Sequence, residues 1–183
     1  MRLTALATVV GVTLAAMTAP AEAAWKSYAN RSVGFSFEAP GEVKTEKGTY
    51  NGALAGRHDA IVYRSVDDNI EYKVTVVDFT SRASEEAALL EEASSMFKNN
   101  KKVLFDRDER VEGHHDRKIS IDYPDNGGRS TAAFVFNNGH LIQLQGTVLP
   151  ANGDYQTPEL GRFIDSLAFD RAEPGATELA PPK

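Results

Sequence analysis

Three adjacent residues carry the side chains best suited to chemistry, His114, His115 and Asp116. Imidazole nitrogens and carboxylates are donors that divalent metals take in proteins, and the same groups serve as general acids or bases in hydrolases. Neighbouring side chains on a strand point to opposite faces of a sheet, so the pair could chelate one ion only if Gly113 opens a turn there. A metal site also needs a third or fourth ligand, and no HExxH motif supplies it. His114, His115 and Asp116 are therefore the candidates for a metal or hydrolase site, and turn histidines exposed to solvent are the favoured interpretation.

Other catalytic and cofactor-binding motifs are absent from the sequence. No Gly-x-Ser-x-Gly elbow is present, and the pair Gly127-Gly128 precedes no predicted helix that would cradle a phosphate. A calcium loop is not indicated between Asp122 and Gly127, because Pro124 interrupts the carboxylate spacing. The chain has no cysteine, which excludes disulfides, thiolate metal sites and a cysteine nucleophile. We therefore predict no catalytic residue, no cofactor and no resident metal, and a protein that is not an enzyme.

The elements that would position these residues are mainly strands. Apolar and polar residues alternate in 35–38, 70–76 and 119–123, a pattern typical of half-buried strands. Asn138-Gly139 separates two alternating segments and predicts a tight antiparallel hairpin.

Two segments have helical spacing instead. Residues 82–99 carry one apolar stripe, and the second helix is expected to begin with Thr157 as its N-cap and Pro158 in its first turn. Strands in meanders with separate helices predict an α+β fold, in which an antiparallel β-sheet is flanked by two main helices in an α/β/α sandwich.

The N-terminal segment has the order of a cleavable signal peptide. Arg2 precedes an apolar run from Leu3 to Met17, and Ala21-Glu22-Ala23 follows as a small-residue cleavage site. We expect residues 1–23 to be removed, 24–169 to form one α+β domain, and the Pro- and Gly-containing residues 170–183 to be a disordered tail. The predicted location is the periplasm or the exterior.

Charge and hydropathy limit the partners of the mature chain. No second long apolar run follows the leader, so no transmembrane segment is expected in the mature chain. The net charge of −6 makes nucleic acid a poor partner, because nucleic-acid affinity comes from neutralised phosphates.

A resemblance to a known family rests on two short motifs. Trp25 and Tyr28 are followed by Gly34-Phe35-Ser36-Phe37-Glu38-Ala39-Pro40, and a closing helix carries Arg162-Phe163-Ile164-Asp165-Ser166-Leu167 before Phe169. With a strand-rich middle, this layout over about residues 25–169 resembles the PsbP/Mog1-like domains. The resemblance implies an antiparallel sheet flanked by helices and a binding or assembly module. It transfers no functional residue to this chain.

Three functions follow as hypotheses. The favoured one is an exported, non-enzymatic module that binds an unidentified protein or cell-envelope partner. The second is a carrier whose aromatic side chains enclose a small apolar ligand, although aromatics at strand spacing more often form the core. The third is a hydrolase or metal-binding protein that uses His114, His115 and Asp116.

Overall fold

The computed structural model describes residues 23–111, 113–169 and 174–182, without the side chains of Val111 and His115. The predicted leader, apart from Ala23, lies outside the described residues. Within them the chain forms eleven strands and two α-helices. In chain order these are β1 (Trp25–Asn30), β2 (Phe35–Pro40), β3 (Lys44–Gly52), β4 (Gly56–Asp67), β5 (Ile70–Asp78), α1 (Glu86–Lys98), β6 (Lys102–Val111), β7 (His114–Asp122), β8 (Arg129–Asn137), β9 (His140–Val148), α2 (Pro158–Asp165), β10 (Ala168–Phe169) and β11 (Thr177–Glu178).

Seven strands form one large antiparallel sheet in the order β3-β4-β5-β9-β8-β7-β6. The predicted hairpin is confirmed, since β8 and β9 pair on either side of Asn138 and Gly139. These two residues have φ of +48° and +78°, which a turn matched to the twist of the strands requires.

A smaller sheet has the order β10-β2-β1-β11. Strand β1 pairs with β2 across six residues and in parallel with the short β11 at its other edge. The prediction of a disordered tail is therefore wrong for residues 177–179. Thr177 and Glu178 extend the sheet, and Leu179 buries its side chain in the core, which offsets part of the entropy of ordering this segment.

The two helices bury their apolar residues in different hydrophobic clusters. The first cluster contains the apolar stripe of α2, the aromatic residues of β1 and β2, and the large-sheet residues Val74, Val135 and Ile142. The second contains the stripe of α1 with Val77, Phe134 and other large-sheet residues of the opposite parity. Because successive strand residues face opposite ways, the clusters lie on opposite faces of the large sheet. We call these the α1 face and the α2 face.

The helix boundaries follow the local sequence. Helix α2 begins at Pro158 directly after Thr157, as predicted, although the Thr157 side chain makes no capping hydrogen bond. Helix α1 begins at Glu86, later than the periodicity from residue 82 suggests. A 3-10 segment over Thr80–Glu85 precedes it and is interrupted by the non-helical conformation of Arg82, whose φ is −128° and ψ 23°. The Arg82 guanidinium donates hydrogen bonds to Glu85 and to the Ala55 carbonyl oxygen.

The architecture confirms the α+β class with mostly antiparallel sheets and two helices. Most of the aromatic residues that are expected to form the core are buried, among them Phe37, Tyr63 and Phe134. In the described part of the chain, neither helix has the length and apolar character needed to cross a membrane.

Candidate functional site

The candidate residues His114 to Asp116 open strand β7. Gly113 before them has φ of +91°, so a turn does form where the sequence required one. Strand alternation places the side chains of His114 and Asp116 on the α2 face, whereas the His115 side chain lies outside the described residues. Asp116 is only 3% exposed. Its cross-strand neighbours are Glu109 on β6 and Val135 on β8.

The Asp116 carboxyl is a buried acid without full compensation. It accepts a hydrogen bond from the backbone N–H of Phe134, but its Oδ1 atom has no hydrogen-bond partner. Burial, and secondarily the negative charge of Glu109, raise the pKa of Asp116 to about 6, against the smaller opposing effect of Lys118. This carboxyl therefore changes its charge near neutral pH, whereas an ordinary aspartate does so near pH 4.

His114 packs against an aromatic ring. Its imidazole lies 4.5 Å from the ring centroid of Phe169 on β10 and is half-buried, so His114 is less exposed than the predicted turn histidine. The physical reason is that β10 covers the start of β7 on the α2 face. Among the described residues, no group of three or more His, Asp or Glu side chains could hold a metal ion.

The remaining histidines occupy other surroundings. His140 is the first residue of β9, as the turn at Asn138-Gly139 predicts. His58 places its ring 4.6 Å from the Phe79 ring, and its Nε2 lies 3.1 Å from the Ala55 carbonyl oxygen. The sequence predicts His58 on a polar strand face, because it follows Gly56-Arg57, but its ring contacts an aromatic side chain instead.

A groove lies elsewhere, over one end of the large sheet. Its volume is about 500 Å³, and its lining comes from β3, β4, β5, β9, the β1–β2 turn and the C-terminal segment. Val33, Ile61, Val76 and Pro182 contribute apolar residues to it. This groove combines an apolar floor with a charged rim, an arrangement typical of binding sites.

The rim of the groove carries both signs of charge. Lys47, Asp59, Asp78 and His140 line it. Asp78 stands opposite His140 in the β5–β9 pairing. Hydrogen bonds from the Thr80 backbone N–H and hydroxyl, each 2.8 Å, lower the pKa of Asp78, so this carboxylate stays ionised at pH values below its ordinary titration range.

Sequence reasoning missed this groove. Its residues come from six separated segments, and long-range strand pairing rather than sequence proximity brings them together. The sequence signals were the alternation in 70–76 and the apolar run Ile61, Val62 and Tyr63, which indicate strands but not their order in the sheet.

Comparisons with known proteins add one likeness. No family model matches the sequence, and no curated protein matches it. The solution structure of cyanobacterial PsbP (CyanoP) from Synechocystis sp. PCC 6803 is similar in fold, with a TM-score of 0.54 and 12% sequence identity. The match covers 86% of this chain and 98% of that chain. It confirms the PsbP-like resemblance at the level of the fold.

Proposed function

We propose that this protein is an exported, non-enzymatic module that binds a protein or cell-envelope partner through the groove. The observation that carries the proposal is the groove itself, with its apolar floor and its rim of Lys47, Asp59, Asp78 and His140. Apolar area supplies affinity, and a rim of mixed charge supplies orientation and selectivity for one partner.

Two further features support the proposal. The leader-like pattern of residues 1–23 favours export to the periplasm or the exterior. The fold likeness to cyanobacterial PsbP favours the finer arrangement of an α/β/α sandwich, with a second sheet beside α2 on one face. In the PsbP/Mog1-like resemblance, such a fold serves binding or assembly.

Site-specific photo-crosslinking in the cell tests the proposal. Lys47 and Glu46 are neighbours on β3 and both are exposed, but their side chains point to opposite faces of the strand. A photoreactive residue at 47 is expected to give one dominant adduct, which the same residue at 46 does not give. The K47E substitution, which inverts the rim charge, should not alter folding but should weaken a complex captured from another groove position. Equal adducts at 46 and 47, or none at 47, would contradict a binding role for the groove.

A small apolar ligand is the second candidate occupant. The groove volume of about 500 Å³ falls within the range of small-molecule sites. Native mass spectrometry of the processed chain, purified gently from its own compartment, distinguishes the two. A retained small mass that is lost on an I61N substitution favours the carrier, whereas a bare chain that still crosslinks at position 47 favours the protein partner.

A further inference from the structure

One edge of β1 pairs with β2, and the other edge pairs with a short C-terminal segment of the same chain. We call residues 177–182 the strap. It pairs with β1 in parallel at only two positions, Tyr28 with Thr177 and Ala29 with Glu178. The Leu179 N–H adds one hydrogen bond of 2.8 Å to the Ala29 carbonyl. The opposite edge of β1 pairs with β2 over six positions. The strap is therefore the weaker of the two neighbours of β1 and is expected to open first.

Three side chains of the strap contact the domain at separate places. Glu178 forms an ion pair of 2.5 Å with the Arg31 guanidinium and accepts a hydrogen bond from the Arg31 backbone N–H. Leu179 is 9% exposed and belongs to the core cluster of the α2 face. Pro182 lines the groove. The strap thus joins the β1 edge to the groove through an acidic residue, a leucine and a proline.

The contacts of these three strap residues indicate which other peptide could bind at the β1 edge. An edge strand offers its unpaired backbone groups to any extended peptide, and pockets for individual side chains supply the selectivity. A peptide that replaced the strap would meet the Arg31 cation, the apolar pocket that Leu179 now fills, and the groove that Pro182 now lines.

We propose that the partner of this protein binds as an extended peptide segment of the form acidic residue–Leu–x–x–Pro, which pairs with β1 in place of the strap. The inference rests on the proposed function, because the same groove receives the peptide. The strap acts as a tethered competitor, so the intact chain accepts only segments that bind better than its own C-terminus.

Peptide binding to the full chain tests the proposal. The probe is a fluorescent peptide with the sequence of residues 176–182, measured by anisotropy against the parent, L179S and A180S chains. Ala180 is exposed beside Leu179, so A180S is the matched control for a strap that stays closed. We expect L179S to bind the probe at least tenfold more tightly than the parent and A180S. A probe with serine in place of its leucine should bind L179S at least tenfold more weakly.

Equal affinities of L179S and the parent, or of the two probes, would overturn the proposal. If L179S does not fold, E178R loosens the strap without touching the core, and it should bind the probe more tightly than the parent. No gain with E178R would also overturn the proposal. A mixed dimer of L179S and parent chains in native mass spectrometry would mean that the strap of a second copy binds the β1 edge. That result would overturn the proposal of a peptide from a different partner.

The failure of this inference is distinguishable from the failure of the proposed function. An adduct at position 47 that persists while no chain binds the probe overturns the peptide site alone. Probe binding to L179S without any adduct at position 47 in the cell contradicts the proposed function and leaves the peptide site standing.

Discussion

Asp116 and Arg117 are neighbours on β7, yet their side chains lie on opposite faces of the sheet. Arg117 is ion-paired with acidic side chains, whereas the buried Asp116 has no ion-pair partner in the described part of the chain. On the α1 face, Arg117 holds Asp106 through two hydrogen bonds of 2.7 and 2.9 Å and also pairs with Glu91. Lys98 adds a further contact of 2.8 Å to Asp106. On the α2 face, Asp116 is buried with one oxygen unpartnered. Two adjacent residues of one strand therefore differ: Arg117 belongs to a cluster of ion pairs, whereas Asp116 is a buried acid that is only partly compensated.

The same contrast extends to the neutral buried groups. On the α1 face, the Ser130 hydroxyl lies 2.9 Å from that of Thr147, which also accepts from Gln145. Among the described residues, the buried side-chain atoms without a hydrogen-bond partner belong to Ser65, Asp116 and Asn137, and strand alternation places all three on the α2 face. The groove lining includes residues of this face, and Asn137 stands opposite His140 of the groove. The unpaired buried polar atoms of the described side chains therefore lie on the α2 face, where each of them costs stability.

The largest predicted effect is at Asp116. The folded-state pKa of about 6 lies above the ordinary 3.8, so folding is favoured while the carboxyl is protonated. This contribution is full below pH 4 and is lost as the pH rises through 6. At pH 7.5 the D116N substitution should raise the free energy of unfolding by up to about 3 kcal/mol, at 1.36 kcal/mol per pKa unit. At pH 3.5 it should have almost no effect.

Urea unfolding at the two pH values measures this difference. D108N is the matched control, because Asp108 is an exposed aspartate on the neighbouring strand. It should change stability little at either pH. A destabilising D116N at pH 7.5 would mean that the carboxylate is compensated after all.

The R117M substitution tests the ion-paired side of the comparison. It removes the bonds to Asp106 and Glu91 and keeps most of the packing, so we expect a loss of about 1–2 kcal/mol at pH 7. The Arg117 hydrogen bonds lower the pKa of Asp106 to about 2, so this stabilisation is present above pH 4 and is lost as the pH falls through 2. Unfolding at pH 7 and pH 2 should show the penalty only at the higher pH. A similar penalty at both would mark a packing effect instead.

A pair of identical substitutions compares the neutral groups. S130A breaks a hydrogen-bonded pair on the α1 face and should cost about 1 kcal/mol. S65A removes a hydroxyl without a partner on the α2 face and should be neutral or slightly stabilising. Thermal unfolding of both variants under one buffer measures the difference. Equal losses would remove the distinction between the faces.

The smallest effect is expected from E109Q. Glu109 is the second cause of the raised pKa of Asp116, after burial. Its neutralisation should lower that pKa by less than about one unit, because desolvation persists. A titration of E109Q beside the parent detects this shift, and a fall to the ordinary value would show that charge repulsion, rather than burial, dominates.

Local patterns predicted most of the elements but not their assembly. The hairpin at Asn138-Gly139 and the start of α2 at Pro158 are set by neighbouring residues, so the sequence indicated both. The burial of Asp116 depends on β6, β8 and β10 packing around it, and periodicity could not reveal this. Leu179 lies in a segment that contains several proline and glycine residues. Such a composition predicts disorder, so nothing in the sequence indicated that Leu179 is buried in the core.

The pKa values of Asp116 and Asp106, read together in one carboxyl-detected NMR titration of the full chain, test the contrast between the two faces most directly. We predict about 6 for Asp116 and about 2 for Asp106. Values near the ordinary aspartate pKa for both would show that the two carboxyl groups have similar surroundings, and would contradict the contrast between the two faces of the sheet.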